Sequence, residues 1–299
     1  MANGKYHKEV QEIIPILRDA AQQEILPRWG KVVEEVKGTS PSGYKDTVTA
    51  ADKGASTFIL DRVRKIWPGS YSEEDPCIDD PDRWAQEFLW HFDPVDGTLE
   101  FCNKMFRGYA LNAAFLKMRK DRGHWPVAGV IYRPGDDTLV YNDGSPVNHF
   151  FRDGKLVDLP RPSRESVLGW VRAVDPSQRL IDFYETLGKN LGVSSHAVHL
   201  GGAGASIIDL LEGKINVLVY NYNLTREWDW AMAIPMIRAA GGFLCDLKGK
   251  EYESYNRKPT KDRSEYDLRG VIASIVFKKE EIIPHVPADL LEDRLPLVI

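Results

Sequence analysis

Asp93-Pro94-Val95-Asp96-Gly97-Thr98 follows directly on Phe88-Leu89-Trp90-His91-Phe92, an apolar run that reads as a buried strand. Two carboxylates three residues apart, on the turn leaving such a strand, can converge on one cation. Pro94 fixes its φ, and Gly97 permits close approach of the backbone, so the turn is stiff at the acids and open beside them. Amides at Gly97 and Thr98, with the Thr98 hydroxyl alongside, can receive an anion such as phosphate. Carboxylate and water oxygens are the ligands that Mg²⁺ prefers. Asp-Pro and Asp-Gly pairs also build turns that carry no chemistry, so the stretch alone leaves both readings open.

Other acids stand at element ends. Asp46 lies in a short extended segment before Thr49-Ala50-Ala51-Asp52, whose Thr and Asp have the spacing of a capping box at a helix start. Glu73 and Glu74 follow a short predicted strand in the acidic run Ser72–Asp75. Asp229 sits between Trp228 and Trp230 in the first turn of a helix that ends at Gly241-Gly242. The helix dipole is reason enough for an acid there, but flanking indoles would partly dry the carboxylate and favour a cation partner. Gly201–Gly204 opens another helix, a weak anion-binding signal by itself.

The chain has 299 residues, 43% hydrophobic and 28% charged, enough to bury one large core or two joined domains. A net charge of −5 without a basic stripe argues against a nucleic-acid polymer as partner. Cys77, Cys102 and Cys245 have no CxxC spacing and read as reduced thiols. No segment reads as an export signal or a membrane span, so the expectation is a cytoplasmic protein without a membrane partner.

The elements that must position the acids follow from periodicity. A helical stripe through Val10, Ile14, Leu17, Ala21 and Ile25 predicts a helix over 5–36, kinked or divided by Pro15 and Pro27. A second helix follows Thr49. Residues 109–118, 127–132, 138–142 and 147–151 read as strands of an antiparallel meander, with turns at Gly123, Pro134-Gly135-Asp136 and Asp143-Gly144. Beyond a polar join at 152–164, strands at 167–171, 197–200 and 215–220 alternate with helices at about 176–191 and after Gly201. The expected division is 1–155, an α+β half with the acid-bearing loops, and 156–299, an α/β half contributing Asp229.

Taken in order, Asp-x-Val-Thr-x-Ala-Asp at 46–52, Glu-Glu at 73–74, Asp-Pro-Val-Asp-Gly-Thr at 93–98, Trp-Asp at 228–229 and Ala-Gly-Gly at 240–242 resemble the inositol monophosphatase family. That family comprises Mg²⁺-dependent, lithium-sensitive phosphomonoesterases and includes 3′(2′),5′-bisphosphate nucleotidases. The resemblance implies a layered αβαβα fold, with an antiparallel sheet in the first half and a mixed sheet in the second. It implies a phosphoric monoester hydrolase, two or three Mg²⁺ ions, a small phosphorylated substrate and a homodimer. Carried over residue by residue, it makes Glu73, Asp93 and the Val95 carbonyl ligands of a first Mg²⁺, and Asp93, Asp96 and Asp229 ligands of a second. Gly97 and Thr98 would receive phosphate, and Thr98 with Asp46 would orient and deprotonate the attacking water.

Departures from the family pattern bear on the substrate. Ser72 stands where members commonly have Gly, which leaves Glu74 as the fallback for Glu73. Gly202-Ala203-Gly204-Ala205-Ser206 replaces a Gly-Ser-Ala-like turn near the leaving group, and Glu100 is commoner in the nucleotidases. In the loop Tyr220–Arg226, Tyr222 lies near the place where inositol phosphatases often have an acid. The expectation is an inositol 1-phosphate-type sugar or polyol phosphate, with adenosine 3′,5′-bisphosphate as the alternative. A catalytically silent phosphate-ligand binding protein is the competing class.

Overall fold

The computed structural model describes residues 3–39, 45–75, 81–120, 123–159, 163–164, 169–171, 178–193, 195–197, 201–220, 226–252 and 270–287. Its described elements begin with α1 (His7–Ala20), which passes into a widened turn at Ala21–Ile25 and a 3-10 turn at Leu26–Arg28. Pro15 is accommodated inside α1, and the helix gives out near Pro27. The predicted helical tail to 36 is instead a turn and irregular chain over 29–34 that runs into β1 (Glu35–Thr39), paired antiparallel with β2 (Lys45–Val48). Val36 and Gly38 there lack the apolar stripe that would hold a helix against the core.

α2 (Ala50–Val63) starts at the Thr49–Asp52 capping box. β3 (Tyr71–Ser72), β4 (Phe88–Asp96), the short helix α3 (Thr98–Cys102), β5 (Ala110–Arg119), β6 (Gly123–Arg133), β7 (Thr138–Asn142), β8 (His149–Arg152) and β9 (Lys155–Leu156) follow. The seven strands form one sheet in chain order, antiparallel throughout except for the parallel pair β3–β4. The predicted four-strand meander is β5–β8, and the sheet extends it with β3 and β4 in front and β9 behind.

Beyond it come β10 (Gly169–Val171), α4 (Gln178–Leu191), β11 (Ser195–Ala197), α5 (Ala203–Leu211), β12 (Val217–Tyr220), α6 (Glu227–Trp230), α7 (Ala233–Ala239), β13 (Phe243–Cys245), β14 (Val271–Ser274) and α8 (Lys279–Ile282). β10 and β11 pair in parallel, and β12-β14-β13 are antiparallel. Both pairing modes therefore occur in the second half. Cys102 and Cys245 are free thiols, and Cys77 lies outside the described residues. The same holds for 165–168 and 198–200, parts of two predicted strands.

The layers follow from strand alternation. Trp90, Phe92, Ala113, Phe115, Val130 and Tyr132 face α1 and α2 in one core. Leu89, Ala114, Leu116 and Ile131 face α5, α6 and α7 in a second. Leu218, Tyr220, Val271 and Ala273 close that second core from the far side, while Val217, Val219 and Ile272 point on into a third with Phe183, Leu187 and Ile282. Successive residues of a strand point to opposite faces, so a strand covered on both faces is apolar at nearly every position. The result is helix, sheet, helix, sheet, helix.

Candidate active site

β4 is the floor of the site. Its pairing with β5 runs regularly to Asp93–Asn112 and breaks before Asp96–Ala110, which turns the Asp-Pro-Val-Asp segment out of the sheet. The Val95 amide donates to Asp93 Oδ1 at 3.1 Å, an Asx turn that fixes the carboxylate. Gly97 then takes φ of +87°, and a Cβ there would lie 2.5 Å from the Gly108 carbonyl. Only glycine suits that backbone and that approach.

Glu73 comes alongside from β3, where its amide donates to the Phe92 carbonyl at 3.0 Å. Asp229 comes from the first turn of α6, with Oδ2 accepting from the Arg226 amide at 2.8 Å. Glu73, Asp93 and Asp229 each offer an oxygen, and the three atoms lie within 4.8 Å of one another. Thr98 and Arg226 line the same cleft. From β1, Lys37 Nζ reaches Glu73 Oε1 at 2.7 Å and Glu74 Oε1 at 2.6 Å.

The electrostatics follow from burial and crowding. Burial raises the Asp93 pKa well above the carboxylate range, and Glu73, Asp96 and Asp229 add to it. Asp229 is raised likewise, first by burial and then by Asp96 and Glu73. Glu74 is pushed up to about 7 by burial and by Glu73, against the pull of Lys37. Like charges this close favour either protons or a cation. The donor set, three carboxylates without nitrogen or sulfur, fits a hard divalent ion such as Mg²⁺.

Thr98 carries the second feature. Its hydroxyl is 2.8 Å from Asp52 Oδ1 and 3.0 Å from the Val95 carbonyl. Asp52 Oδ2 is already occupied by the Thr49 amide at 2.8 Å and the Thr49 hydroxyl at 2.6 Å. Burial raises the Asp52 pKa to about 6, with the Thr49 and Thr98 hydrogen bonds pulling the other way. Asp52 thus caps α2 with one oxygen and holds Thr98 with the other.

A sequence model described as the inositol monophosphatase family matches residues 7–287. The chain belongs to that family. It is accordingly a phosphoric monoester hydrolase. It is 26% identical over 238 residues to a fructose-1,6-bisphosphatase/inositol-1-monophosphatase of Thermotoga maritima, covering 78% of this chain and 83% of that one. It is 27% identical over 227 residues to the 3′(2′),5′-bisphosphate nucleotidase CysQ of Salmonella typhimurium, covering 73% and 86%. Among solved structures, an IMPase/NADP phosphatase complexed with Mg²⁺ and phosphate aligns with a TM-score of 0.66 at 17% identity, over 94% of each chain.

Within this inositol monophosphatase fold the expected site residues divide. Glu73, Asp93 and Asp229 converge, with Val95, Asp96, Gly97 and Thr98 lining the same cleft. Glu74 stands outside the group of three. Asp96 lines the cleft beside them, and its carboxylate also accepts from the amides of Ala203 at 2.8 Å and Gly204, which caps α5. Gly202 makes this possible, since a Cβ there would meet the Asp96 carboxylate at 2.5 Å. Among the described side chains the partner of the Thr98 hydroxyl is Asp52, while the side chain of Asp46, the expected partner, lies outside the described residues. Sequence reasoning took Asp52 for a cap alone and missed Lys37. The loop at 221–225, with Tyr222, lies outside the described residues as well.

Proposed function

We propose that the chain hydrolyses a small phosphate monoester of the inositol 1-phosphate type, a sugar or polyol phosphate, with Mg²⁺ held by Glu73, Asp93 and Asp229. The observation that carries this reading is the convergence of those three carboxylates beside the Thr98–Asp52 pair. Mg²⁺ supplies there positive charge against the phosphoryl oxygens and lowers the proton affinity of water. Amides of Gly97 and Thr98, at the opening of α3, hold the phosphoryl group. Thr98 Oγ1 takes a proton from the attacking water as it passes its own to Asp52 Oδ1, and Asp52 later returns that proton to solvent. The water oxygen bonds to phosphorus, the ester P–O bond breaks, and the leaving oxygen takes a proton from solvent. A carboxylate with a pKa of about 6 is well placed to act as base near neutrality. Two or three ions, lithium sensitivity, a homodimer and a cytoplasmic setting complete the proposal. In it Val95 contributes its carbonyl, and Asp96 offers a cation the lone pairs that its bonds to the Ala203 and Gly204 amides leave open.

One observation favours a nucleotide instead. Arg226 lines the cleft, with its guanidinium 5.6 Å from the ring centre of Trp228, a largely buried indole that also borders it. A second phosphate and a base would use both. Phosphate release from inositol 1-phosphate, fructose 1,6-bisphosphate, histidinol phosphate and adenosine 3′,5′-bisphosphate, each with Mg²⁺ and with chelator, tests the two readings. Turnover indifferent to chelator would sink the metal reading. A kcat/KM for the bisphosphate nucleotide more than about a hundredfold above inositol 1-phosphate, about 2.7 kcal/mol, would replace the polyol by the nucleotide.

A further inference from the structure

We infer that Tyr71, His91 and Glu227 form a buried hydrogen-bonded clamp that presets the spacing of the three site carboxylates. The inference rests on the metal reading above. Each member lies two residues before one of the carboxylates: Tyr71 before Glu73, His91 before Asp93, Glu227 before Asp229. The Tyr71 hydroxyl donates to Glu227 Oε1 at 2.6 Å, and His91 Nδ1 lies 3.0 Å from the same hydroxyl. A phenol has one proton to give, so with that proton on Glu227 the assigned donor of the second bond is the His91 ring N–H. The Tyr71 and His91 rings meet edge to face at 5.4 Å, and the Arg83 guanidinium covers the Tyr71 ring at 4.1 Å. All three members are buried, with exposures of 1%, 1% and 4%.

The backbone carries this arrangement to the site. Tyr71 and His91 are register partners in the parallel β3–β4 pair. The ladder continues through the Glu73 amide to the Phe92 carbonyl, so Glu73 cannot slide along Asp93 without breaking the Tyr71–His91 contact. Residues i and i+2 of a strand share a face and lie roughly 6.5 Å apart, too short a span to absorb a shift. Asp229 belongs to a different element, and Glu227 ties its helix to β3 across 156 residues of chain. Apolar side chains at 71, 91 and 227 would fill the same space, but they would not fix distance and direction as hydrogen bonds do. These are positioning residues, and none of them lines the cleft.

Mn²⁺ binding by calorimetry on the full chain tests the clamp. Tyr71→Phe removes the donor but leaves a buried carboxylate short of a partner, which can cost folding. The double variant Tyr71→Phe/Glu227→Met removes both ends of that bond, so no carboxylate is stranded and only the His91 ring N–H loses its acceptor. In both, Mn²⁺ affinity is expected to fall by about tenfold or more, within the range usual for groups that orient metal ligands. The Mg²⁺ needed for half-maximal turnover rises by the same factor, while kcat at saturating Mg²⁺ stays within about twofold, because a positioning loss is recovered by mass action. Glu227→Gln, whose side-chain carbonyl still accepts from Tyr71, keeps parental Mn²⁺ affinity within about threefold. A double variant that binds Mn²⁺ as the parent does, whatever its melting temperature, overturns the clamp and leaves the metal reading standing. So does a Glu227→Gln loss as large as that of Tyr71→Phe. A parent chain that binds no Mn²⁺ overturns both.

Discussion

Asp52→Asn separates the two jobs of one side chain. Asn keeps an oxygen for the Thr49 amide and hydroxyl, the two bonds that cap α2. Its NH₂ then faces Thr98 Oγ1, and the Thr98 hydroxyl can donate to the Val95 carbonyl, already 3.0 Å away. No buried polar group is orphaned, so the cap survives, whereas a lost cap would cost about 1 kcal/mol. Charge is where the variant differs. The folded-state pKa is raised from 3.8 to about 6. For a raised carboxylate, the stabilising contribution is full below the unfolded value and is lost as pH climbs through the folded one. In the metal-free parent that loss amounts to about 3 kcal/mol, complete by about pH 8. Asn cannot ionise and escapes it. In melts with chelator, Asp52→Asn is therefore expected to match the parent at pH 4 within about 2 °C and to exceed it by roughly 5 °C at pH 8. Steady-state phosphate release with Mg²⁺ should show kcat lower by about 10²–10⁴-fold, the usual worth of positioned proton transfer. Thr98→Ala should lose as much, and the double variant scarcely more, because the two groups act as one unit. A kcat within about fivefold of the parent, or a melting temperature lowered at pH 8, would refute the relay and leave Asp52 a helix cap.

Two further predictions concern the carboxylates. Asp93→Asn, at the centre of the group of three, should abolish Mg²⁺-dependent turnover, whereas Asp229→Asn should mainly raise the Mg²⁺ needed; near-normal turnover of Asp93→Asn at ordinary Mg²⁺ would dismiss the assignment. Glu73→Gln should cost turnover far more than Glu74→Gln, because only Glu73 lies in the group while both share Lys37; kcat/KM measured at fixed Mg²⁺ decides, and the reverse order would move the ligand by one residue.

Legibility tracked the range of the signal. The capping box at Thr49–Asp52, the meander turns and the Trp-Asp helix start are local patterns, and the structure has each near its expected bounds. The 5–36 helix was overextended because β1 is held by pairing with β2 and not by its own apolar stripe, and Lys37 went unnoticed with it. Asp96 shows a different limit. Its signature block marks it as a ligand and is silent on the amides 107 and 108 residues further on that its oxygens also meet, at a helix whose Gly-rich opening carries no announcement of its partner.

Asp52 shows why such residues escape a sequence reading. A capping box satisfies one carboxylate oxygen locally, and that role is sufficient to explain the residue type. The other oxygen finds Thr98 46 residues away, and nothing in the local spacing reports it. Tyr71, His91 and Glu227 repeat the lesson, since each looks like an ordinary residue beside an acid until the fold sets the three acids side by side. Only then does the common offset of two residues acquire a physical meaning. A strand pair and a helix start that deliver carboxylates to one point also deliver the residues behind them to one point, where hydrogen bonds between those residues can hold the carboxylates against their mutual repulsion.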